Sequence, residues 1–230
     1  MAGRRVLKFG GAALRDGNSV NRVAEIVRTH GGAISSDHAN IEMSFDVRRR
    51  LNAPQKRRIG AAAAAMIGDG EAIALDASTT AMAIAEQLGG QRELTVITNG
   101  ILAATTLMNT TGVTVLMPGG FLRKESVSLI GTEGRDLIKK YNFQKGFFGA
   151  KGFTLQEGLT DVNRDEVSTK QDLVKHTKSV IAVVDSSKWG RVGFASFASV
   201  EQIDCIITDE GAPQDMIDAL ADLDVQVVVA

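Results

Sequence analysis

Cysteine, proline, histidine and the large aromatics are scarce in these 230 residues: one Cys, three Pro, three His, one Trp and one Tyr. Cys205 has no partner, so neither a disulfide framework nor a thiolate metal centre is available, and the mostly apolar stretch 203–207 assigns it to the core. His30, His38 and His176 are scattered, so no metal is expected. No apolar run approaches the roughly 20 residues of a membrane span. The opening MAGRRVLKF lacks the apolar centre and cleavage site of a signal peptide. A cytoplasmic protein with no membrane partner is expected.

What is plentiful is small. Twenty-four glycines, with 44% hydrophobic and 23% charged residues, suit a globular α/β protein with many tight loops. The net charge of −1 hides an asymmetry: residues 1–60 hold 12 basic and 5 acidic side chains, the remainder 14 and 22. The excess includes Arg48, Arg49, Arg50, Lys56, Arg57 and Arg58. Two readings fit these clusters: a nucleic-acid-facing end, or the solvated faces of surface helices.

Along the chain, residues 4–9 read as a strand and about 20–28 as a helix, followed by a polar linker around 35–40. Ser44 can cap a helix over 45–51, and Pro54 interrupts before a second at about 55–67, whose alanines allow close packing on a sheet. Apolar strands then alternate with helices of about ten residues. The strands are 72–75, 94–98, 113–117, 145–149, 180–184, 203–208 and 225–229; the helices are about 80–88, 101–108, 133–141, 164–176 and 214–220. Such continuous apolar strands imply an α/β fold: a mostly parallel sheet with helices on both faces. Trp189 and Phe194 are expected to pack near the rim of any site.

Ligands of such sheets bind outside the carboxyl ends of the strands. The strand over 72–75 ends in Asp76, Ala77, Ser78, Thr79 and Thr80 before a helix, an order that either caps the helix or, with its free N–H groups and partial positive charge, holds an anion. The other strands end in Thr98-Asn99-Gly100, Pro118-Gly119-Gly120, Gly149-Ala150-Lys151-Gly152 and Asp185-Ser186-Ser187-Lys188. Repeated delivery of small, hydroxyl, amide and cationic groups favours a ligand site over a set of unrelated turns. Glu166 and Lys170, four apart on one helix, are either part of it or an exposed ion pair.

From about residue 29 onward the ordered set THGGAI, KRRIGAAAAAMI, LDASTTA, ITNG, MPGGFLRKES, IGTEG, FFGAKG, GLTD, Glu166/Lys170, VVDSSKWG and IDCIITDE resembles the DeoR/GlpR family of bacterial transcription repressors. The resemblance implies a fold shared with ribose-5-phosphate isomerase and the coenzyme A transferases. It implies a phosphorylated sugar as effector, no cofactor and no catalysis. It also implies operator DNA as the family's partner and a homo-oligomer. Carried over, the phosphate loop is Asp76, Ser78, Thr79 and Thr80. Further effector contacts fall to Thr98, Asn99, Gly119, Gly120, Gly149, Lys151, Gly152, Glu166, Lys170 and Lys188.

Three departures bear on function. Ser78 stands where the family's loop has Gly, and Lys151 where Gly-Ala-Asp-Gly is common; a cation there favours a more anionic effector. The family's winged helix-turn-helix ends at the His-Gly-Gly-Ala segment, and only 29 residues precede His30. The expectation is an atypical N-terminal segment (1–30), a linker and helix (31–55) and an effector-binding domain (56–230), with the DNA-reading part missing or replaced. VLKFGGAALRDGNSVNRVAEIV instead resembles the opening of aspartate kinases, but nothing downstream supplies the rest of that fold. A phosphosugar isomerase is the alternative function, with Glu166 as base; the GAKG segment lacks the carboxylate such an enzyme carries there.

Overall fold

The computed structural model describes Ile26–Thr29, Gly32–Ser35 and residues 42–230. The chain divides into two units, Met1–Ile41 and Glu42–Ala230. In the first, β1 (Ile26–Thr29) and β2 (Gly32–Ser35) form an antiparallel hairpin in which Thr29 pairs with Gly32. This corrects the helix expected to run to residue 28: β-branched Ile26, Val27 and Thr29 suit a strand better than a helix end. The expected strand over 4–9, the kinase-like glycine turn, the rest of that helix and the linker beyond Ser35 lie outside the described residues.

The second unit opens with α1 (Phe45–Arg50) and α2 (Ala53–Ala65), separated by Asn52 at φ +51°. Pro54 sits in the first turn of α2, where its missing N–H costs nothing. Then come β3 (Ala72–Leu75), α3 (Thr79–Ala85), β4 (Leu94–Thr98), α4 (Ile101–Leu107) and β5 (Val113–Leu116). A hairpin of β6 (Phe121–Arg123) and β7 (Ser128–Ile130) leads to α5 (Thr132–Ile138) and β8 (Phe143–Phe148). After β9 (Gly152–Thr154) and β10 (Gly158–Asp161) the chain runs through α6 (Arg164–Lys175), β11 (Thr177–Val183) and β12 (Ala195–Ala198). It closes with β13 (Cys205–Thr208), α7 (Gln214–Ala221) and β14 (Gln226–Val229).

Seven strands form one wholly parallel sheet in the order β14-β13-β11-β8-β3-β4-β5, close to where the apolar runs put them. Alternate residues face opposite ways. Ile73, Leu75, Phe147, Ile181 and Ile207 meet α2 and α3 through Ile59, Ala63 and Ile84; Ala74, Ile97, Phe148, Ala182 and Ile206 share the other core with Ile138, Val167, Leu173 and Leu220 of α5, α6 and α7. The small residues of α2 serve contact with a helix as well as the sheet: a Cβ on Gly60 would stand 2.8 Å from the Ala83 carbonyl of α3.

Two small antiparallel elements were not expected: the β6–β7 hairpin and a sheet ordered β12-β10-β9. Trp189 is buried edge-on to Phe153, with ring centroids 5.1 Å apart, whereas Phe194 is 71% exposed, against the expectation that it packs at a rim. Cys205 is buried in the core, and burial pushes its thiol up to about 11. Among the described residues no helix is long and apolar enough to cross a membrane.

The strand order positions the site. From β3 the chain moves outward through β4 and β5, then returns to place β8 on the other side of β3 and moves outward through β11, β13 and β14. The order therefore reverses between β3 and β8. Crevices form outside the carboxyl ends of strands at such a reversal. The residues there are Asp76 and Gly149.

Candidate functional site

At the reversal, Asp76 is wholly buried and each of its oxygens is committed. Oδ1 accepts from the Ser78 amide at 3.0 Å, and Oδ2 accepts from the Gly149 amide at 2.9 Å and pairs with Lys170 Nζ at 2.9 Å. Lys170 Nζ also donates to the Gly149 carbonyl at 2.7 Å and to Asp161 Oδ2 at 2.6 Å, and lies 4.8 Å from the centre of the Phe197 ring. Burial alone would lower the Lys170 ammonium and raise the Asp161 carboxyl. Their mutual attraction, with Asp76 adding to that on Lys170, reverses both shifts. A Cβ on Gly149 would stand 2.5 Å from the Ser78 side chain, so glycine lets the β3 and β8 loops touch.

Asp76 thus ties two strand-end loops together and shapes the turn into α3. Ser78 caps that helix, its Oγ accepting from the Ala81 amide at 3.0 Å. Thr79 and Thr80 are buried in the first turn, where backbone amides have no partner within the helix. The capping reading of this loop is therefore met by Ser78, and the amides that follow it have no partner within α3.

A second polar cluster surrounds Glu166, which is buried on the inward face of α6. The helix starts there because Asn163 Oδ1 accepts from the Asp165 and Glu166 amides. Glu166 Oε1 accepts from Ser126 Oγ at 2.6 Å and from Ser128 Oγ, and lies 3.8 Å from Arg123; Oε2 accepts from Asn99 Nδ2 at 3.4 Å. Val127, at φ +50°, a conformation a β-branched residue rarely adopts, turns both serines onto the carboxylate. Arg123 is held in turn by Glu42. Glu166 and Lys170 are buried and bond to different partners, so the exposed i,i+4 pair is not what forms.

Cations collect at the neighbouring strand ends. Lys56 of α2 is buried and donates to the Arg48 carbonyl at 2.7 Å and to the Leu51 carbonyl. Burial lowers its pKa to about 8, with Lys188 and Arg48 adding to the fall and Asp185 opposing it. Lys151 and Lys188 are both lowered by burial; each also feels Arg191 and Arg48, and Lys151 feels Lys188. Asn52 Nδ2 bonds Asp185 Oδ1 at 2.9 Å and Ser187 Oγ at 3.2 Å, joining the α1–α2 connection to the end of β11. Two buried oxygens, Asn99 Oδ1 and Asp185 Oδ2, have no hydrogen-bond partner among the described residues. Each can accept from a ligand hydroxyl.

Of the residues expected at the site, Asp76, Ser78, Gly149 and Lys170 are in direct contact, and Asn99 joins Glu166. Thr98 Oγ1 serves its own turn, accepting from the Gly100 amide at 3.0 Å. Gly120, at φ +113°, lets the chain pass the Ile130 carbonyl, 2.2 Å from where a Cβ would be. Gly119 lies beside Gly134 at the start of the same hairpin, and Gly152 opens β9. The residues not expected as contacts are Arg48, Asn52, Lys56, Arg123, Ser126, Ser128, Asp161 and Arg191, with Asp185 expected only as part of its strand-end loop. Several stand inside motifs already quoted: Arg123 and Ser126 in MPGGFLRKES, Asp161 in GLTD and Asp185 in VVDSSKWG. Arg48, Asn52 and Lys56 stand four residues apart, but left-handed Asn52 breaks the helix between them, so their spacing is not a helical periodicity that could have found them.

A parallel α/β domain with buried amide, hydroxyl and cationic groups at its topological switch point is built to bind a small anionic ligand. Residues 51–210 match the family model described as the DeoR C terminal sensor domain, and the chain belongs to that family. It is 35% identical over 206 residues to the HTH-type transcriptional regulator GolR of Listeria innocua, covering 89% of this chain and 81% of that protein. With the HTH-type transcriptional repressor GlcR of Bacillus subtilis it shares 34% identity over 209 residues, 90% of this chain and 80% of the relative. The glycerol-3-phosphate regulon repressor of Escherichia coli K12 is 29% identical over 212 residues, 92% and 84% of the two chains. Among solved structures, the probable sor operon regulator of Shigella flexneri superposes with a TM-score of 0.46 at 12% identity, covering 78% of this chain and 92% of that one. Ribose 5-phosphate isomerase A of Methanocaldococcus jannaschii gives 0.43 at 16% identity, covering 60% and 55%.

Proposed function

We propose that this chain is the effector-sensing part of a DeoR-family repressor of carbohydrate metabolism, with a phosphorylated sugar bound across the ends of β3, β8 and β11. The observation that carries the reading is the use of Asp76: one buried carboxylate joins the β3 and β8 loops, so that the first-turn amides of α3, which have no partner within the helix, adjoin the loop that carries Lys151. Phosphate takes the Ser78–Thr80 turn, and sugar hydroxyls donate to Asn99 Oδ1 and Asp185 Oδ2. The name of the Escherichia coli relative, which ties it to a glycerol-3-phosphate regulon, favours a phosphorylated polyol.

The sensor domain runs from residue 56, preceded by a linker and helix over 31–55, and works within a cytoplasmic homo-oligomer. Effector binding favours one arrangement of the sensor and so changes affinity for operator DNA. The site binds without turning its ligand over. An isomerase would need Glu166 free to take a proton from carbon, and here both its oxygens are engaged by serine and asparagine donors.

Unfolding of the full chain measured against a panel of phosphorylated sugars, with the unphosphorylated sugars and ATP as controls, tests the reading. A ligand at 100 times its Kd stabilises the native state by about 2.7 kcal/mol. Stabilisation by a phosphosugar recovered unchanged is the expected result. No stabilisation by any of them, or stabilisation by ATP alone, overturns it.

A further inference from the structure

The end of β11 carries more positive charge than one phosphate group on the Asp76 loop would use. Lys188 and Arg191 lie on the loop that follows β11, Lys151 follows β8, and Arg48 of α1 donates to the Met43 and Glu125 carbonyls, which leave its charge unneutralised. The backbone draws these segments together. The Lys151 amide bonds the Thr160 carbonyl at 2.9 Å, and a Cβ on Gly152 would stand 2.1 Å from the Arg191 carbonyl. The Arg191 amide bonds the Lys188 carbonyl at 3.4 Å, and Asn52, one turn past Arg48, bonds Asp185 and Ser187.

Among the described residues none of these four cations has a carboxylate within salt-bridge distance. Of the nearby acids, Asp161 is used by Lys170, and Asp185, bonded through Oδ1 to the neutral Asn52 and Ser187, is one carboxylate facing both Lys188 and Lys56, so it offsets only part of the charge. Both lysines are lowered by burial first; cationic neighbours add to this, while Asp185 opposes it at Lys188 and Asp161 more weakly at both. Lys151 follows β8, the immediate neighbour of β3, but Lys188 and Arg191 follow β11, one strand further from the start of α3. β8 lies between β3 and β11, so the ends of β3 and β11 are separated by two strand spacings, about 9.5 Å.

We propose that Arg48, Lys151, Lys188 and Arg191 form a second acid-binding subsite, and that the effector is a phosphorylated sugar with another anionic group at its far end, either a sugar bisphosphate or a phosphorylated sugar acid. This rests on the sugar-phosphate reading above and narrows it. Asp185 Oδ2, buried and unpartnered beside the cations, suits the hydroxyl adjacent to that second acid.

Calorimetry on the full chain with two matched pairs tests it: glucose 6-phosphate against 6-phosphogluconate, and fructose 6-phosphate against fructose 1,6-bisphosphate. In at least one pair the doubly anionic member should bind tenfold or more tightly, and in Arg191→Ala its advantage over its own partner should fall below threefold. That ratio is insensitive to general weakening of the fold, which affects both members alike. Equal affinity within both pairs, or an advantage that survives Arg191→Ala, overturns the second subsite and leaves the sugar-phosphate reading standing. No binding of any of the four, with no stabilisation across the wider panel, removes both.

Discussion

Replacing Lys170 with Met removes the one cation that neutralises the centre of the site. Its ammonium touches the Gly149 carbonyl, Asp161 Oδ2 and Asp76 Oδ2, all within 2.9 Å, and Asp76 has no exposed surface. Methionine fills a similar volume, so the packing against Phe197 survives and the loss is electrostatic. Removing one partner of a buried pair costs about 3–5 kcal/mol, because the remaining charge has neither water nor counterion. For a domain of this size that corresponds to a fall in Tm of roughly 10 °C. The pH dependence separates this from an ordinary packing defect. In the native protein Lys170 holds the Asp161 carboxyl below its usual range despite burial, so that contribution is present at neutral pH and is lost as pH falls through the depressed value. In Lys170→Met burial acts on Asp161 against only its Val162 amide bond and the more distant Arg48, its folded-state value rises, and protonation relieves it. The deficit relative to the native protein should therefore shrink between about pH 7.5 and pH 5 in urea unfolding. Adding Asp161→Asn should recover part of it at neutral pH. A deficit below about 1 kcal/mol, or one independent of pH, would mean that water reaches the pair and that it behaves as a surface ion pair.

Three further outcomes follow from the same geometry. Gly149→Ala drives a methyl to 2.5 Å from Ser78 and should cost about 1–3 kcal/mol in urea unfolding, with Ser78→Gly restoring much of the loss; a neutral Gly149→Ala would show that the two loops do not meet as described. Ser128→Ala takes one of two hydroxyl donors from Glu166 Oε1 and should cost about 1–2 kcal/mol, read from the same transition; a change below about 0.5 kcal/mol refutes the need for both serines. Lys56, lowered to about 8 by burial, is raised again when an anion binds nearby, so binding takes up protons. Affinity should then fall as pH rises through 8, by no more than about tenfold per pH unit for one proton. Calorimetry in buffers of different ionisation enthalpy measures the uptake, and affinity that is flat from about pH 7 to pH 9 would refute it.

The large sheet was legible because its seven strands are short apolar runs between helices of small residues, a pattern with few alternatives. The antiparallel elements were not. Strands such as Phe121–Arg123 and Gly152–Thr154 are three residues long, carry no alternation that a two-residue period can reveal, and meet their neighbouring strands across short loops that hold no Asn-Gly or Asp-Gly turn. Their absence from the sequence reading had a cost at the site. Asp161 reaches Lys170 because β10 carries it there, and Ser126 and Ser128 reach Glu166 because the β6–β7 hairpin folds over it. The Glu166/Lys170 spacing showed that the two share a helix face, but spacing alone says nothing of what that face meets.

The basic clusters after Ser44 show the same limit from the other side. Composition treats Arg48, Arg49, Lys56 and Arg58 as equivalent charges, and either a solvated face or a nucleic-acid surface accounts for four charges that are equivalent. The fold makes them unequal. Arg49 and Arg58 pair with Glu86 and Glu210 on the surface, whereas Lys56 is buried against the Arg48 and Leu51 carbonyls and Arg48 bonds the Met43 and Glu125 carbonyls. What sorts them is the break at Asn52: a residue at φ +51° ends one helix and starts the next, so its amide faces the β11 loop while Arg48 and Lys56 follow it inward at four-residue spacing. A left-handed Asn between two short helices has no periodic signature. The two helices that the sequence presents as a lead-in to the sheet therefore supply part of the cationic wall of the site, and the charge a ligand must match is set as much by α1 and α2 as by the strand ends.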